Sequence, residues 1–285
     1  MSKILMVLVD GSAYSASVCR YAAWIAARTG AQVKLYHVLD PRRASDKLDL
    51  SGAIALGARS DLLEELSSLD EQHAKLAQAQ GRAILDDART LIEAEGVTDV
   101  VTRLRYDDLV ATVTAKEGAA DMILIGKRGE EARPEQSHLG SNFERIVRAS
   151  HKSVFVANRA FRPVRRVLIA YDGGVSSMKA VEYVARDPLF TGLEVVVATV
   201  ATDSDEVRQD DLDDAGATLT ACGHEAGTRV LQGQSGKALG EFVETEGIDL
   251  LVMGAYGHSR IRTLVIGSTT TEMIRSCRVP VVLMR

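Results

Sequence analysis

Glycines and a hydroxyl residue near the end of the chain are spaced as in a phosphate-binding loop. Gly254 and Gly257 form a Gly-x-x-Gly pair, and nine residues separate this pair from Gly267 and Ser268, where a helix is predicted to begin. Glycines let the backbone approach an anion closely, and the free N–H groups of a helix start bind phosphate oxygens. A triphosphate fits this arrangement.

Further candidate residues lie where the apolar runs that we predict to be parallel strands end. Ligands of open parallel sheets bind outside the carboxyl ends of the strands, so the residues at these ends are the candidates. In the second part of the chain they are Ala170, Tyr171, Asp172, Val200, Met253, Gly254 and Tyr256, and Thr269 stands at the predicted helix start. Taken alone, Asp172 is also typical of a helix cap and each glycine of a turn, but their joint spacing favours a ligand site.

The same pattern occurs twice. Asp10 and Asp172 are 162 residues apart, Gly126 and Gly254 are 128 apart, and Gly140 and Gly267 are 127 apart. The first copy has 34 extra residues between Val38 and Asp121. A second, weaker site is therefore predicted in the first copy, at Asp10, Val38, Gly126, Gly129, Gly140 and Ser141.

The repeat defines the predicted architecture. In each copy, short apolar strands alternate with helical stretches, which is typical of a parallel sheet covered on both faces. We expect an α/β fold of two doubly wound, five-stranded parallel-sheet domains in tandem, at 1–160 and 163–285. The polar, proline-containing segment 158–166 is the predicted linker, with a boundary near residue 162.

The extra segment of the first copy, at about 40–80, is predicted to contribute to a long helix from about Ser60 to Glu95. Its apolar stripe has helical spacing and comprises Leu62, Leu66, Leu69, His73, Leu76, Ala83 and Ile84. We expect the stripe to pack on its own sheet with His73 as a packed histidine. The alternative is a helix that docks a partner.

The first copy departs from the second where phosphates would bind. Ten residues replace nine in its loop, Glu130 and Glu131 follow the second glycine, and Tyr106 takes the predicted place of Gly233. The acids would repel phosphate, although Lys127 and Arg128 act in the opposite sense. The second copy is therefore the better predicted site.

Composition excludes several function classes. The net charge of −5 leaves no broad basic surface for nucleic acid or an anionic membrane. The three cysteines show no disulfide or zinc spacing, so we expect a reduced, cytoplasmic protein. No apolar stretch approaches the roughly 20 residues of a membrane helix.

Gly254, Gly257, Gly267 and Ser268 resemble the nucleotide loop of ATP-binding universal stress proteins, and the resemblance covers nearly the whole chain, twice. It implies that Asp172 contacts ribose or the Mg²⁺ or Mn²⁺ of the nucleotide, and that Val200 contacts adenine through its backbone. It further implies that Gly257, Gly267, Ser268 and Thr269 contact the phosphates, and that Met253, Gly254 and Tyr256 form the wall around base and ribose.

The expected function is a nucleotide-responsive regulatory or stress-resistance module that binds ATP chiefly in the second copy. No residue pattern indicates a general base, so any turnover is expected to be slow. The alternatives are a slow ATP hydrolase or adenylyl-transferring enzyme on the same fold, and a scaffold without nucleotide. The terminal strands 154–157 and 281–284 are expected to pair within the chain, as the subunits of similar proteins do. A protein partner is unidentified, and a homodimer is compatible with the sequence.

Overall fold

Ten strands form one sheet in the part of the chain that the structure describes, which is 3–40, 59–128, 141–201, 209–255 and 268–285 of a computed structural model. The strands of the first half are β1 (Ile4–Leu8), β2 (Gln32–Leu39), β3 (Val100–Tyr106), β4 (Met122–Gly126) and β5 (Ser153–Ala157). Those of the second half are β6 (Arg166–Ala170), β7 (Glu194–Ala201), β8 (Ala226–Gln232), β9 (Leu250–Gly254) and β10 (Val281–Met284).

Helices connect the strands and cover both faces. In the first half they are α1 (Ser15–Thr29), α2 (Arg59–Ala94), α3 (Leu109–Lys116) and α4 (Ser141–Ala149). In the second half they are α5 (Val175–Arg186), α6 (Gln209–Ala221), α7 (Ser235–Thr245) and α8 (Ser268–Ser276). No helix among the described residues is long and apolar enough to cross a membrane.

The strand order is β3-β2-β1-β4-β5-β10-β9-β6-β7-β8. Pairing is parallel within each half, which confirms the predicted five-stranded, doubly wound units. The halves join through β5 and β10, which pair antiparallel with Val156 opposite Val281 and Phe155 opposite Val282. This confirms the predicted intramolecular pairing, and each terminal strand covers the other's edge.

The predicted linker is anchored on the first half. Tyr21 of α1 is fully buried, and its ring lies 5.1 Å from that of Phe155 and 4.8 Å from that of Phe161. Its hydroxyl donates to Oδ1 of Asn158 and accepts from the N–H of Arg162, both at 3.2 Å. Tyr21 therefore holds the segment that leads from β5 into β6 against the first half.

The long helix of the first half exists, but its predicted packing stripe is wrong. Leu69 and Leu76 are 40% and 69% exposed, and His73 and Ala83 are also exposed, whereas Ile84 is half-buried. The side chains of Leu62 and Leu66 lie outside the described residues.

The buried stripe of α2 lies closer to its C-terminus, at Gly81, Leu85, Ala88 and Ile92. The reason is length: a 36-residue helix spans about 54 Å, whereas the eight residues of β2 span about 26 Å. Only the C-terminal part of α2 can therefore lie on the sheet.

Candidate functional site

The carboxyl ends of β6 and β9 lie side by side and define the candidate site of the second half. From β6 the chain continues to β7 and β8 on one side, and it returns to β9 and β10 on the other. Ala170 pairs with Met253, so Asp172 and Gly254 follow at the same edge of the sheet. Open α/β sheets bind ligands outside the strand ends at such a change of direction.

Asp172 organises the turn from β6 into α5. Its Oδ1 accepts hydrogen bonds from the N–H of Gly174 at 2.9 Å and from the hydroxyl of buried Ser177 at 2.6 Å. Gly173 has φ +73°, a conformation that favours glycine. The carboxylate thus has a structural role at the start of α5 and lies at the candidate site as well.

Val200 and Tyr171 extend the site towards β7. Val200 is half-buried near the end of β7, and the N–H of Tyr171 donates to the carbonyl of Ala198 on that strand at 2.8 Å. Burial, followed by the carboxylates of Asp211 and Asp172, raises the pKa of Tyr171. Its phenol therefore stays neutral at this edge.

Gly254 packs closely against the start of α5. A Cβ on Gly254 would lie 2.7 Å from Oγ and 3.0 Å from Cβ of Ser176, so a side chain fits there only if Ser176 moves. Beside it, the hydroxyl of buried Thr270 donates to the carbonyl of Gly254 at 3.2 Å. This bond anchors the first turn of α8, with half-buried Thr269 next to it, at the end of β9.

The sequence reasoning missed Thr270 and the two serines of α5. Serine and threonine are typical of helix starts, so the residue types alone marked these positions as candidates. Many other serines and threonines also stand near predicted helix starts, so the residue type could not single these three out. The contact that gives Thr270 its role joins residues 16 positions apart, which spacing alone does not reveal.

Part of the predicted phosphate loop lies outside the described residues. This applies to Tyr256, Gly257 and Gly267, and in the first half to Gly129 and Gly140. Ser268 and Ser141 are the first residues of α8 and α4, and their side chains are not described. The roles assigned to these residues remain predictions.

The first half repeats the geometry around its aspartate. Oδ1 of Asp10 accepts from the N–H of Ser12 at 3.0 Å and from the hydroxyl of Ser15 at 3.2 Å. Val38 lies near the end of β2, and Gly126 is the last residue of β4, which pairs with β1. The two predicted sites therefore occupy equivalent places in the fold.

In the first half, a larger side chain lies against the turn after β1 than against the equivalent turn after β6. A Cβ on Gly11 would lie 2.9 Å from Cδ1 of Ile84 on α2, whereas a Cβ on the equivalent Gly173 would meet no described residue within 4 Å. The long helix of the first half therefore covers the turn after β1. In the second half, none of the described residues covers the equivalent turn.

Two further substitutions distinguish the halves. Tyr14 packs against Gly126, because a Cβ added to Gly126 would lie 2.7 Å from Cβ of Tyr14. The residue equivalent to Tyr14 in the second half is the smaller Ser176, which packs against Gly254. Buried Phe143 stands on α4 where α8 has Thr270, so the first half lacks a hydroxyl at that position. Both changes replace polar groups with bulkier ones.

The predicted correspondence of Tyr106 with Gly233 is wrong by one residue. Leu39 pairs with Tyr106, and the equivalent Ala201 pairs with Gln232. Asp107 is the counterpart of Gly233, because its N–H donates to the carbonyl of Leu39 as that of Gly233 does to Ala201, both at 3.1 Å. The second half has two more residues between β8 and β9 than the first half has between β3 and β4, which shifted the sequence comparison.

Polar residues from two helix starts and one turn lie near this edge of the sheet. They are Thr269 in the first turn of α8, Ser176 in the first turn of α5 and Asp172 in the turn after β6. The described residues contain no cluster of three or more His, Cys, Asp or Glu side chains that could hold a metal ion.

Comparisons with known proteins agree on one family. The model of the universal stress protein family matches residues 1–158 and again 163–285. The universal stress protein Slr1230 of Synechocystis sp. is 35% identical over 286 residues, covering 99% of this chain and 100% of the relative. A universal stress protein of Archaeoglobus fulgidus has a similar fold, with a TM-score of 0.71 at 22% identity, covering 100% of this chain and 99% of that structure.

Proposed function

The chain belongs to the universal stress protein family, and on this premise we propose that its second half binds ATP. The nucleotide would lie outside the ends of β7, β6 and β9, with its phosphates at the start of α8. Ala170, Tyr171, Asp172 and Val200 would surround base and ribose, together with Met253, Gly254 and Tyr256. Gly257, Gly267, Ser268 and Thr269 would bind the phosphates.

The open turn at Gly173 is the observation that carries this proposal. The ends of β6 and β9 meet beside this turn, and among the described residues nothing lies within 4 Å of a Cβ placed on Gly173. A Cβ on the equivalent Gly11 would lie 2.9 Å from Ile84. As far as the described residues go, the second half offers more space at this turn than the first half, which supports one principal nucleotide per chain.

A divalent ion, Mg²⁺ or Mn²⁺, would enter with the nucleotide. Asp172 is the nearest carboxylate assigned to the site, and its Oδ1 already accepts two hydrogen bonds. Its contact with the ion is therefore proposed through the bound nucleotide and its waters. Any hydrolysis would be slow, because the described groups bind and orient phosphate without a residue assigned as general base.

The proposed setting is a cytoplasmic regulatory or stress-resistance protein. Two domains with a boundary near residue 162 are part of the proposal, since the strands form two sets of five and Pro163 lies between them. ATP occupancy in the second domain would be the signal, and the unidentified protein partner would respond to it.

The test is direct identification of the ligand. Freshly purified protein is denatured, the released small molecules are separated by chromatography, and binding of ATP with Mg²⁺ is measured by calorimetry. Release of adenine nucleotide, or binding near one ATP per chain, supports the proposal. If neither is observed, the nucleotide function is wrong and a scaffold function takes its place.

A further inference from the structure

The C-terminal end of α8 is held by a cation from the other half of the chain. Lys127 directly follows β4, and its ammonium donates to the carbonyls of Arg275 at 2.7 Å and Cys277 at 3.1 Å. The last four carbonyls of a helix have no partner within the helix, and cations are favourable beside them. Lys127 therefore serves as a C-terminal cap of α8 from across the β5–β10 junction.

The second half makes the reciprocal contact. Arg285 directly follows β10, and its Nη2 donates to the carbonyls of Val147 at 2.5 Å and Arg148 at 2.8 Å, in the last turn of α4. Asn158, the equivalent of Arg285, donates its amide to the carbonyl of Arg278 at 2.8 Å. Each half thus supplies hydrogen-bond donors to the end of the other half's last helix.

The helix that Lys127 holds is short. α8 has nine residues, or about 13 Å, and isolated helices of this length are marginal in water. Thr270 anchors its first turn to Gly254, and Lys127 anchors its last carbonyls. The direction of its N-terminal N–H groups therefore depends on an anchor at each end.

Lys127 carries its charge in an unfavourable environment. Burial is the main cause that lowers the pKa of Lys127 to about 8, and the nearby charge of Arg128 acts in the same sense, while Cys277 opposes it. The ammonium is half-buried, and its two hydrogen bonds to carbonyls offset the cost of removing it from water. Its place at the end of α8 therefore fits an orienting role with little net effect on stability.

We infer that Lys127 is a positioning residue for the nucleotide site of the second half, supplied by the first half. By holding the C-terminal carbonyls of α8, it keeps the N–H groups at the opposite end aimed at the phosphates. This inference rests on the proposed nucleotide site, but it adds a residue 148 positions away from the helix end that it orients. The complete site then requires both halves of the chain.

The experiment compares three variants of the full chain. Lys127→Met removes the charge and both hydrogen bonds, Lys127→Arg restores a cationic donor, and Lys75→Met removes an exposed lysine of α2 as the matched control. Affinity for ATP with Mg²⁺ is measured by calorimetry, and the free energy of unfolding is measured by chemical denaturation. If Lys127→Met does not fold, Lys127→Ala, which also removes the charge and both hydrogen bonds, replaces it with the same expectation.

The expected loss of affinity for Lys127→Met is about two- to tenfold, with little change in the free energy of unfolding. Lys127→Arg and Lys75→Met should bind within twofold of wild type. Equal affinity of Lys127→Met and wild type, or an equal loss in Lys127→Arg, overturns the inference and leaves the nucleotide site intact. A wild-type protein that binds no ATP overturns the site itself, and the inference with it.

Discussion

The hydroxyl of Thr270 donates to the carbonyl oxygen of Gly254 at 3.2 Å and so joins the first turn of α8 to the end of β9. Both residues lie at the edge where we place the nucleotide, but they come from different elements of the second half. The hydrogen bond fixes the distance between the strand end and the helix start. In the first half, Phe143 occupies the position of Thr270 and has no hydroxyl to form this bond.

Thr270→Val is predicted to weaken ATP binding. Valine keeps the shape of threonine but leaves the carbonyl of Gly254 without this donor, and one such bond contributes about 1 kcal/mol. We expect the dissociation constant to rise about three- to tenfold in calorimetry. Ser276→Ala is the control, because Ser276 bonds within the same helix at its far end. Similar affinities of Thr270→Val and wild type would contradict the anchoring role.

Gly254→Ala is predicted to destabilise the fold by about 1 to 3 kcal/mol. The new Cβ would lie 2.7 Å from Oγ and 3.0 Å from Cβ of Ser176, so the Ser176 side chain would have to rotate and its Cβ to give way. Chemical denaturation measures the loss. Adding Ser176→Gly should recover part of it, because that substitution removes the contacting side chain.

Gly240→Ala is the matched glycine control for this measurement. Gly240 lies within α7, and nothing is within 4 Å of its added Cβ, so alanine should stabilise the protein by up to about 1 kcal/mol. The two glycine substitutions should therefore have opposite signs. A destabilisation by both would show that the effect at Gly254 is not specific to its contact with Ser176.

The sequence predicted the repeated sheet and the strand ends where Asp10 and Asp172 lie, because local patterns determine them. Both aspartates follow buried strands and form a turn into a helix. The sequence did not predict the exposure of His73, because a helical stripe shows periodicity but not how far the sheet beneath the helix extends. It could not reveal the hydrogen bonds from Lys127 to the end of α8, because these depend on the antiparallel pairing of β5 with β10.

We predict a stoichiometry of one tightly bound ATP per chain. Ile84 covers Gly11, and Tyr14 packs on Gly126, so the first half has less space than the second for a nucleotide. Calorimetric titration of the full chain with ATP and Mg²⁺ gives the number of sites. Two sites of equal affinity would contradict the ranking of the halves without affecting the site at Gly254.

Glu117 is predicted to make stability depend on acidic pH. Burial by itself would raise the pKa of Glu117, but hydrogen bonds from Ser150 and His151 outweigh it and lower the pKa below 4.5. The hydroxyl of Ser150 donates at 2.5 Å, and the backbone N–H of His151 donates at 3.1 Å. Because the folded pKa is the lower one, the stabilisation is complete above the unfolded pKa and disappears as pH falls through the folded pKa.

Glu117→Gln should therefore lower the free energy of unfolding at neutral pH by about 1 to 3 kcal/mol and flatten its decline below pH 4.5. Urea denaturation at a series of pH values measures both effects. Glu93→Gln is the control, because Glu93 is paired with Arg89 on the exposed face of α2 and should contribute less than about 0.5 kcal/mol. If Glu117→Gln retains the acid dependence of wild type, other carboxylates cause it, and Glu117 does not stabilise the start of β5 through its charge.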